Sequence, residues 1–157
     1  MDFKITGLPA AAFESYFTLS DAELATHGAI RMVADRRPGF PCRVSLRDAD
    51  PGETVLLLNF EHLCAATPYR SRHAIFVRQN ATEACLQVNE VPEVLLTRLL
   101  SVRAFSHGGM MLDADVMQGR GLAPAIERML NMPHVDYLHV HNAKPGCFAA
   151  RVDRIQA

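Results

Sequence analysis

The stretch that most constrains this chain is Tyr137-Leu138-His139-Val140-His141, followed after Asn142 to Gly146 by Cys147-Phe148-Ala149-Ala150-Arg151-Val152-Asp153-Arg154. β-formers alternate on both sides of a cluster of Asn, Pro and Gly, so the two runs read as extended segments folded back on each other by a turn. Period-two alternation puts Tyr137, His139 and His141 on one side, and Leu138 with Val140 on the other. The apolar side is free to meet a core, which leaves the histidine side free to line a pocket. Two imidazoles, the amide of Asn142, the thiol of Cys147 and the guanidinium of Arg151 crowd this one hairpin, which makes it the first candidate site.

The remaining elements follow from patterning. Glu53 to Phe60 is the most apolar run and belongs at the centre of a sheet. Ser71 to Arg78 alternates and pairs with it across a loop. Cys42 to Arg47 also alternates, with Cys42, Val44 and Leu46 on a core side and Arg43, Ser45 and Arg47 on a polar side. Phe3 to Gly7, Ala29 to Ala34, Ala84 to Val88 and Ser101 to Ser106 are further strand candidates. A short helix fits Pro92 to Leu99. Pro9 stands at a helix N1 position before Phe13, Tyr16 and Phe17 at helical spacing, and Ser20-Asp21-Ala22-Glu23 is a capping box that starts a helix stopped by Gly28. From Gly119 to Met132, Leu122, Ile126, Met129 and Leu130 recur at i, i+4, i+7, i+8 with Pro124 in the first turn, predicting a helix that turns Ile126 and Leu130 toward the sheet. The class is α+β: one domain over 1–157, with a mixed, largely antiparallel sheet and a few helices packed on it.

A chain of 157 residues, 49% hydrophobic and 21% charged, can bury roughly two thirds of the surface its unfolded form exposes. Sixteen basic against 17 acidic residues give a net charge of -1, too little field to grip nucleic acid or an anionic membrane. No apolar run approaches the roughly 18 residues of a membrane span, and Met1 to Ile5 lacks the order of a signal peptide, so a cytoplasmic location is expected. The four cysteines are scattered without a C-x-x-C pair, which favours free thiols. Of the 16 basic residues only Lys4 and Lys144 are lysine, leaving fourteen arginines, the residue suited to bidentate capture of carboxylate or phosphate.

Several strings taken together resemble a known family. They are Gly39-Phe40-Pro41-Cys42-Arg43-Val44-Ser45-Leu46, Val55 to His62, Pro68-Tyr69-Arg70-Ser71-Arg72-His73-Ala74-Ile75-Phe76-Val77-Arg78, His139 to Ala143, and Gly146-Cys147-Phe148. The family is catalogued as domain of unknown function 1203. The resemblance covers essentially the whole chain and implies a stand-alone bacterial protein of about this length. It brings no activity, cofactor or catalytic residue with it.

Three chemistries can be written on these residues. The first is an anion pocket for a phosphate or carboxylate, which would draw on Arg43, Arg70, Arg72, Arg103 and Arg151 with His73, His139, His141 and Asn142; a guanidinium on a strand is costly unless it is paired or serves a site. Salt bridges to Glu53, Glu61 and Asp153 are the plain alternative. The Gly119-Arg120-Gly121 step could add a helix N-terminus to such a clamp. The second is a divalent metal such as zinc, as in a metal-dependent enzyme, held by His139 and His141 about 7 Å apart on one strand face with His62, His73 or Cys147 as third ligand. The third is a nucleophile, Cys147 activated by His139 or His141. A non-catalytic protein whose sheet edge forms a homodimer is a further class. For the hairpin itself, His139, His141 and Arg151 are expected together at a cleft that also receives His73 or Arg103.

Overall fold

The structure is a computed structural model and describes residues 1–155. Its strands are β1 (Phe3–Thr6), β2 (Ile30–Val33), β3 (Thr54–Leu63), β4 (Ser71–Arg78), β5 (Leu99–Phe105), β6 (Met111–Gln118), β7 (Tyr137–Asn142) and β8 (Phe148–Arg154). The α-helices are α1 (Asp21–Thr26), α2 (Glu93–Leu96) and α3 (Leu122–Leu130), with 3-10 turns at Ala10–Ala12, Glu14–Thr18 and Gly119–Gly121. No helix among the described residues is long and apolar enough to cross a membrane.

The class is α+β as expected, but the strands divide into two sheets: five strands in the order β1-β8-β7-β5-β6, and three in the order β2-β3-β4. Every ladder is antiparallel. The strand pairs predicted from sequence, β3 with β4 and β7 with β8, form, yet they sit in different sheets. Each sheet needs its own apolar cover, and the chain supplies two. The five-stranded sheet buries Leu100, Val102, Leu138, Val140 and Val152 against Leu122, Ile126, Met129 and Leu130 of α3. The three-stranded sheet buries Leu56, Leu58, Ile75 and Val77 against Phe13 and Leu24.

Local rules explain the helix starts. Ser20 Oγ accepts from the Glu23 amide at 3.2 Å while Glu23 Oε2 accepts from the Ser20 amide at 2.7 Å, so α1 opens with the predicted capping box. Gly28, with φ of 67°, lets the chain leave it. The segment around Phe13, Tyr16 and Phe17 settles into two 3-10 turns rather than one helix.

Three sequence expectations fail here. Cys42 to Arg47 is a loop, not a strand: Pro41 and Cys42 make only isolated bridges to Asp48 and Phe76, and Leu46 sits at φ of 50°, which no extended run allows. Of the residues expected on its polar side, Arg43 is instead buried, at 2% exposure, while Arg47 is exposed. Ala84 to Val88 has no ladder partner and stays irregular, whereas Met111–Gln118, not foreseen, forms edge strand β6 on β5.

Leu58 lies on the central strand of its sheet and is 3% exposed. Leu58→Ala is expected to lower stability by about 2 to 5 kcal/mol through lost burial and a residual cavity, read as a drop in the urea midpoint with an unchanged denaturant slope. A midpoint shift within error would show that this core tolerates the void.

Candidate functional site

Cross-strand register assembles the histidine side of β7. His139 stands opposite Arg103 of β5 on one flank and Arg151 of β8 on the other, and His141 stands between Ser101 and Phe148. Directly paired residues share a sheet face, so these side chains form one polar and aromatic layer. A bulge in the β7–β8 ladder between Val140 and His141 brings Phe148, not Ala149, into that layer.

A third imidazole arrives from the other sheet. The His62 ring centroid lies 5.0 Å from that of His141 and 6.0 Å from that of His139, and its ring stacks on Phe148 at 5.3 Å. Phe105 and Tyr137 each lie 5.2 Å from His139. The two β7 histidines are thus covered rather than open, at 3% and 1% exposure, and the strand is buried along both faces. Burial holds His139 and His141 down to about 3 and His62 to about 4, helped by the neighbouring Arg103 charge and by the other imidazoles. All three are neutral at pH 7. His141 Nδ1 pairs with the Gly146 carbonyl at 3.1 Å, while His62 Nδ1 and His139 Nδ1 have no hydrogen-bond partner among the described residues.

Three close imidazoles invite a metal, yet among the described residues no three His, Cys, Asp or Glu side chains converge so as to hold one. The rings meet edge to face or tilted and pack on Phe148, Phe105 and Tyr137, as an aromatic cluster does.

The arginines separate into compensated and uncompensated groups. The three carboxylates named from sequence are occupied: Glu53 by Arg78, Glu61 by Arg70 at 2.6 Å and Asp153 by Arg151 at 2.7 Å. Arg151 also lies over the Tyr137 ring, 4.0 Å from its centroid. Arg72 donates to Asn59 Oδ1. Arg103 has only a long contact to Ser101 Oγ at 3.4 Å, and burial lowers it from its ordinary value. Arg43 is the extreme case. Its guanidinium donates to the carbonyls of Phe148, at 2.7 Å, and Pro41, and to Cys147 Sγ at 2.8 Å; among the described residues it has no carboxylate partner. Burial pushes it down, and the Cys147 and Cys42 sulfurs oppose that shift.

Arg43 forms part of the wall of a cleft of about 620 Å³ lined by both sheets. Leu57, Phe76, Leu99 and Pro145 give it apolar walls, and Arg43, His73, Arg98 and Lys144 are its ionisable bases. Among the described residues no Asp or Glu lines it. Arg98 is held from behind by a bidentate pair with Asp48 at 2.7 and 3.0 Å, whereas Lys144 is exposed in the β7–β8 turn. Cys147 and Asn142 complete the lining. Asn142 Nδ2 lies 3.5 Å from Cys147 Sγ, and Asn142 Oδ1 has no partner among the described residues.

The residues singled out from sequence are thereby divided. Arg43, His73 and Asn142 line the larger cleft. His139 and Arg151 border a second, of about 360 Å³, together with His62 and Asp136. Arg103 joins the imidazole layer through its register with His139, and His141 is sealed inside that layer. The bulge turns Phe148 to the β7 histidines, and the Cys147 sulfur accepts from Arg43 Nη2. Arg98 and Lys144 escaped the sequence reading. Lys144 carried a signal, as one of two lysines and the only one in the hairpin turn; Arg98, between a helix and a strand, carried none.

Residues 39–154 match the family model described as "Protein of unknown function (DUF1203)". No curated protein and no solved structure matches the chain.

Proposed function

The chain belongs to the DUF1203 family, and from its geometry we propose that it binds a small anionic molecule in the larger cleft between its two sheets. The observation that carries this reading is the lining: four basic side chains, mostly apolar walls and no acid, in a protein whose net charge is -1. A surface of nearly balanced charge gives no reason for acids to be missing from one concavity; a site for a carboxylate or phosphate does. The volume suits a ligand of metabolite size. Lys144, exposed in the β7–β8 turn, supplies a cation and His73 a second polar contact.

A thermal-shift panel of phosphates, nucleotides and carboxylates tests this reading. A ligand at a hundred times its Kd adds roughly 2.7 kcal/mol, about 5 to 10 °C for a domain of this size. Lys144→Ala is expected to weaken the best anion about tenfold while leaving the melting of the unliganded protein nearly unchanged, since the residue is exposed. Shifts with divalent metals and with no anion would overturn the proposal in favour of a metal site.

A further inference from the structure

We infer that the anion held in the larger cleft is a carboxylate carried on an apolar body, an acyl or aryl acid rather than a phosphate or a nucleotide. That an anion binds there at all rests on the reading above; its class follows from the donors the cleft leaves free and from the make-up of its walls.

The two arginines of the lining have their guanidinium nitrogens committed within the fold. Arg43 is 2% exposed, and it donates from Nε to the Phe148 carbonyl at 2.7 Å, from Nη1 to the Pro41 carbonyl and from Nη2 to Cys147 Sγ at 2.8 Å. Arg98 gives Nη1 to Asp48 Oδ2 at 3.0 Å and to the Val94 carbonyl at 2.8 Å, and Nη2 to Asp48 Oδ1 at 2.7 Å. Asp48 thus cancels the charge of Arg98, while that of Arg43 remains and makes the wall positive. Neither presents the open fork of parallel N–H groups by which arginine grips phosphate. Of the four bases only Lys144 is exposed, and an ammonium acts as a compact point charge. A phosphate has three strong acceptor oxygens to satisfy. Among the described residues no first-turn residue of any helix lines the cleft, so the amides of a helix N-terminus do not make up the number.

The walls favour an apolar body. Leu57 of β3 and Phe76 of β4 stand directly opposite each other in their ladder and form one patch on the three-stranded sheet. Leu99 of β5 belongs to the five-stranded sheet, so both sheets present apolar side chains to the same space. All three are only half-buried, although apolar side chains gain from complete burial. A ligand body between the sheets would cover them. The Ala143 amide donates to the Leu99 carbonyl at 2.9 Å, which ties the turn carrying Lys144 to this apolar wall. A carboxylate anchored at Lys144 would let its body run past Leu99 to Leu57 and Phe76, and the volume of about 620 Å³ admits such an acid.

Isothermal titration calorimetry on the intact wild-type protein, with octanoate, hexanoate, octanamide, octanedioate, inorganic phosphate and AMP, tests the assignment. Octanoate is expected to bind at a single site, and hexanoate roughly tenfold more weakly for two fewer buried methylenes. Octanamide keeps the body and drops the charge, and should lose about tenfold. Octanedioate would set a second charge against the apolar walls and should lose about tenfold or more. Lys144→Ala should remove the advantage of octanoate over octanamide and leave octanamide unchanged. Phosphate or AMP binding where octanoate does not, or octanedioate matching octanoate, overturns the apolar carboxylate and keeps the anion site. An octanoate affinity untouched by Lys144→Ala overturns the inference too, because the carboxylate would then be held elsewhere. Octanoate and octanamide binding alike overturns both the inference and the anion site, since the cleft would read no charge, and so does silence from every ligand.

Discussion

Stability is expected to collapse as the pH is lowered from 7 to 4.5, before most carboxylates are protonated. In the unfolded chain each imidazole takes up a proton near pH 6.5. Inside the fold, burial keeps His139 and His141 neutral down to about 3, and His62 down to about 4. Throughout that window the unfolded state binds more protons than the folded one, so stability falls with falling pH. At about 1.4 kcal/mol per pH unit, His139 and His141 each remove on the order of 3 kcal/mol by pH 4, a large share of the 5 to 15 kcal/mol typical of a domain. Glu53 and Glu61, held low by Arg78 and Arg70, act in the opposite region. Their contribution is intact above the ordinary carboxylate value and is lost only below it. Urea titrations at pH 7, 6, 5 and 4.5 isolate the histidines, and His139→Phe, which keeps a ring against Phe105 and Phe148, should flatten the slope by close to one proton. An unchanged midpoint between pH 7 and 5 would mean that these rings are not neutral and sealed.

The same residues show what a sequence can and cannot say about a site. Alternation in Tyr137 to His141 gives the sharing of sides correctly: Leu138 and Val140 meet α3, and His139 and His141 lie together on the other face. It cannot tell that the second face is covered too, because the cover comes from His62 and from the bulge that turns in Phe148. Arg43 is the clearest case of a misleading pattern. Cys42 to Arg47 alternates like a strand, yet the loop at Leu46 sends the guanidinium inward to partners 104 and 105 residues along the chain. Local spacing carries no information about such partners. Strand β6 was legible in principle, since Leu112, Ala114 and Val116 alternate with Asp113, Asp115 and Met117, but there the apolar Leu112 and Val116 are the exposed ones. The helix of α3 and the capping box of α1 came through because their signals are local and agree with tertiary packing.

Gly119→Ala is expected to cost as much as a large core truncation in this protein. The glycine follows Gln118 of β6, starts the 3-10 turn that leads into α3 and is buried. A methyl group built on it would lie 1.9 Å from the Leu95 carbonyl oxygen and 2.7 Å from Leu96 backbone atoms. These are main-chain atoms of α2, not the far end of a flexible side chain. To admit the methyl, either α2 must move off the sheet, with the buried Val94 and Leu95, or the Gly119 amide must give up its 2.8 Å hydrogen bond to the Arg98 carbonyl. Overpacking usually costs about 1 to 3 kcal/mol, and a collision with backbone that also breaks a buried hydrogen bond should exceed that range, to about 4 kcal/mol or more. Gly119 is thus a packing residue. Because Arg98 and Gln118 both line the larger cleft, the displacement should also weaken anion binding at temperatures where the variant is still folded. Gly121→Ala separates the two effects: its methyl would touch only the Met117 side chain, at 3.7 Å, so it should leave both the melting temperature and the anion shift close to wild type. A Gly119→Ala protein that melts within about 2 °C of wild type would show that α2 is free to slide and that the close approach seen here is not required.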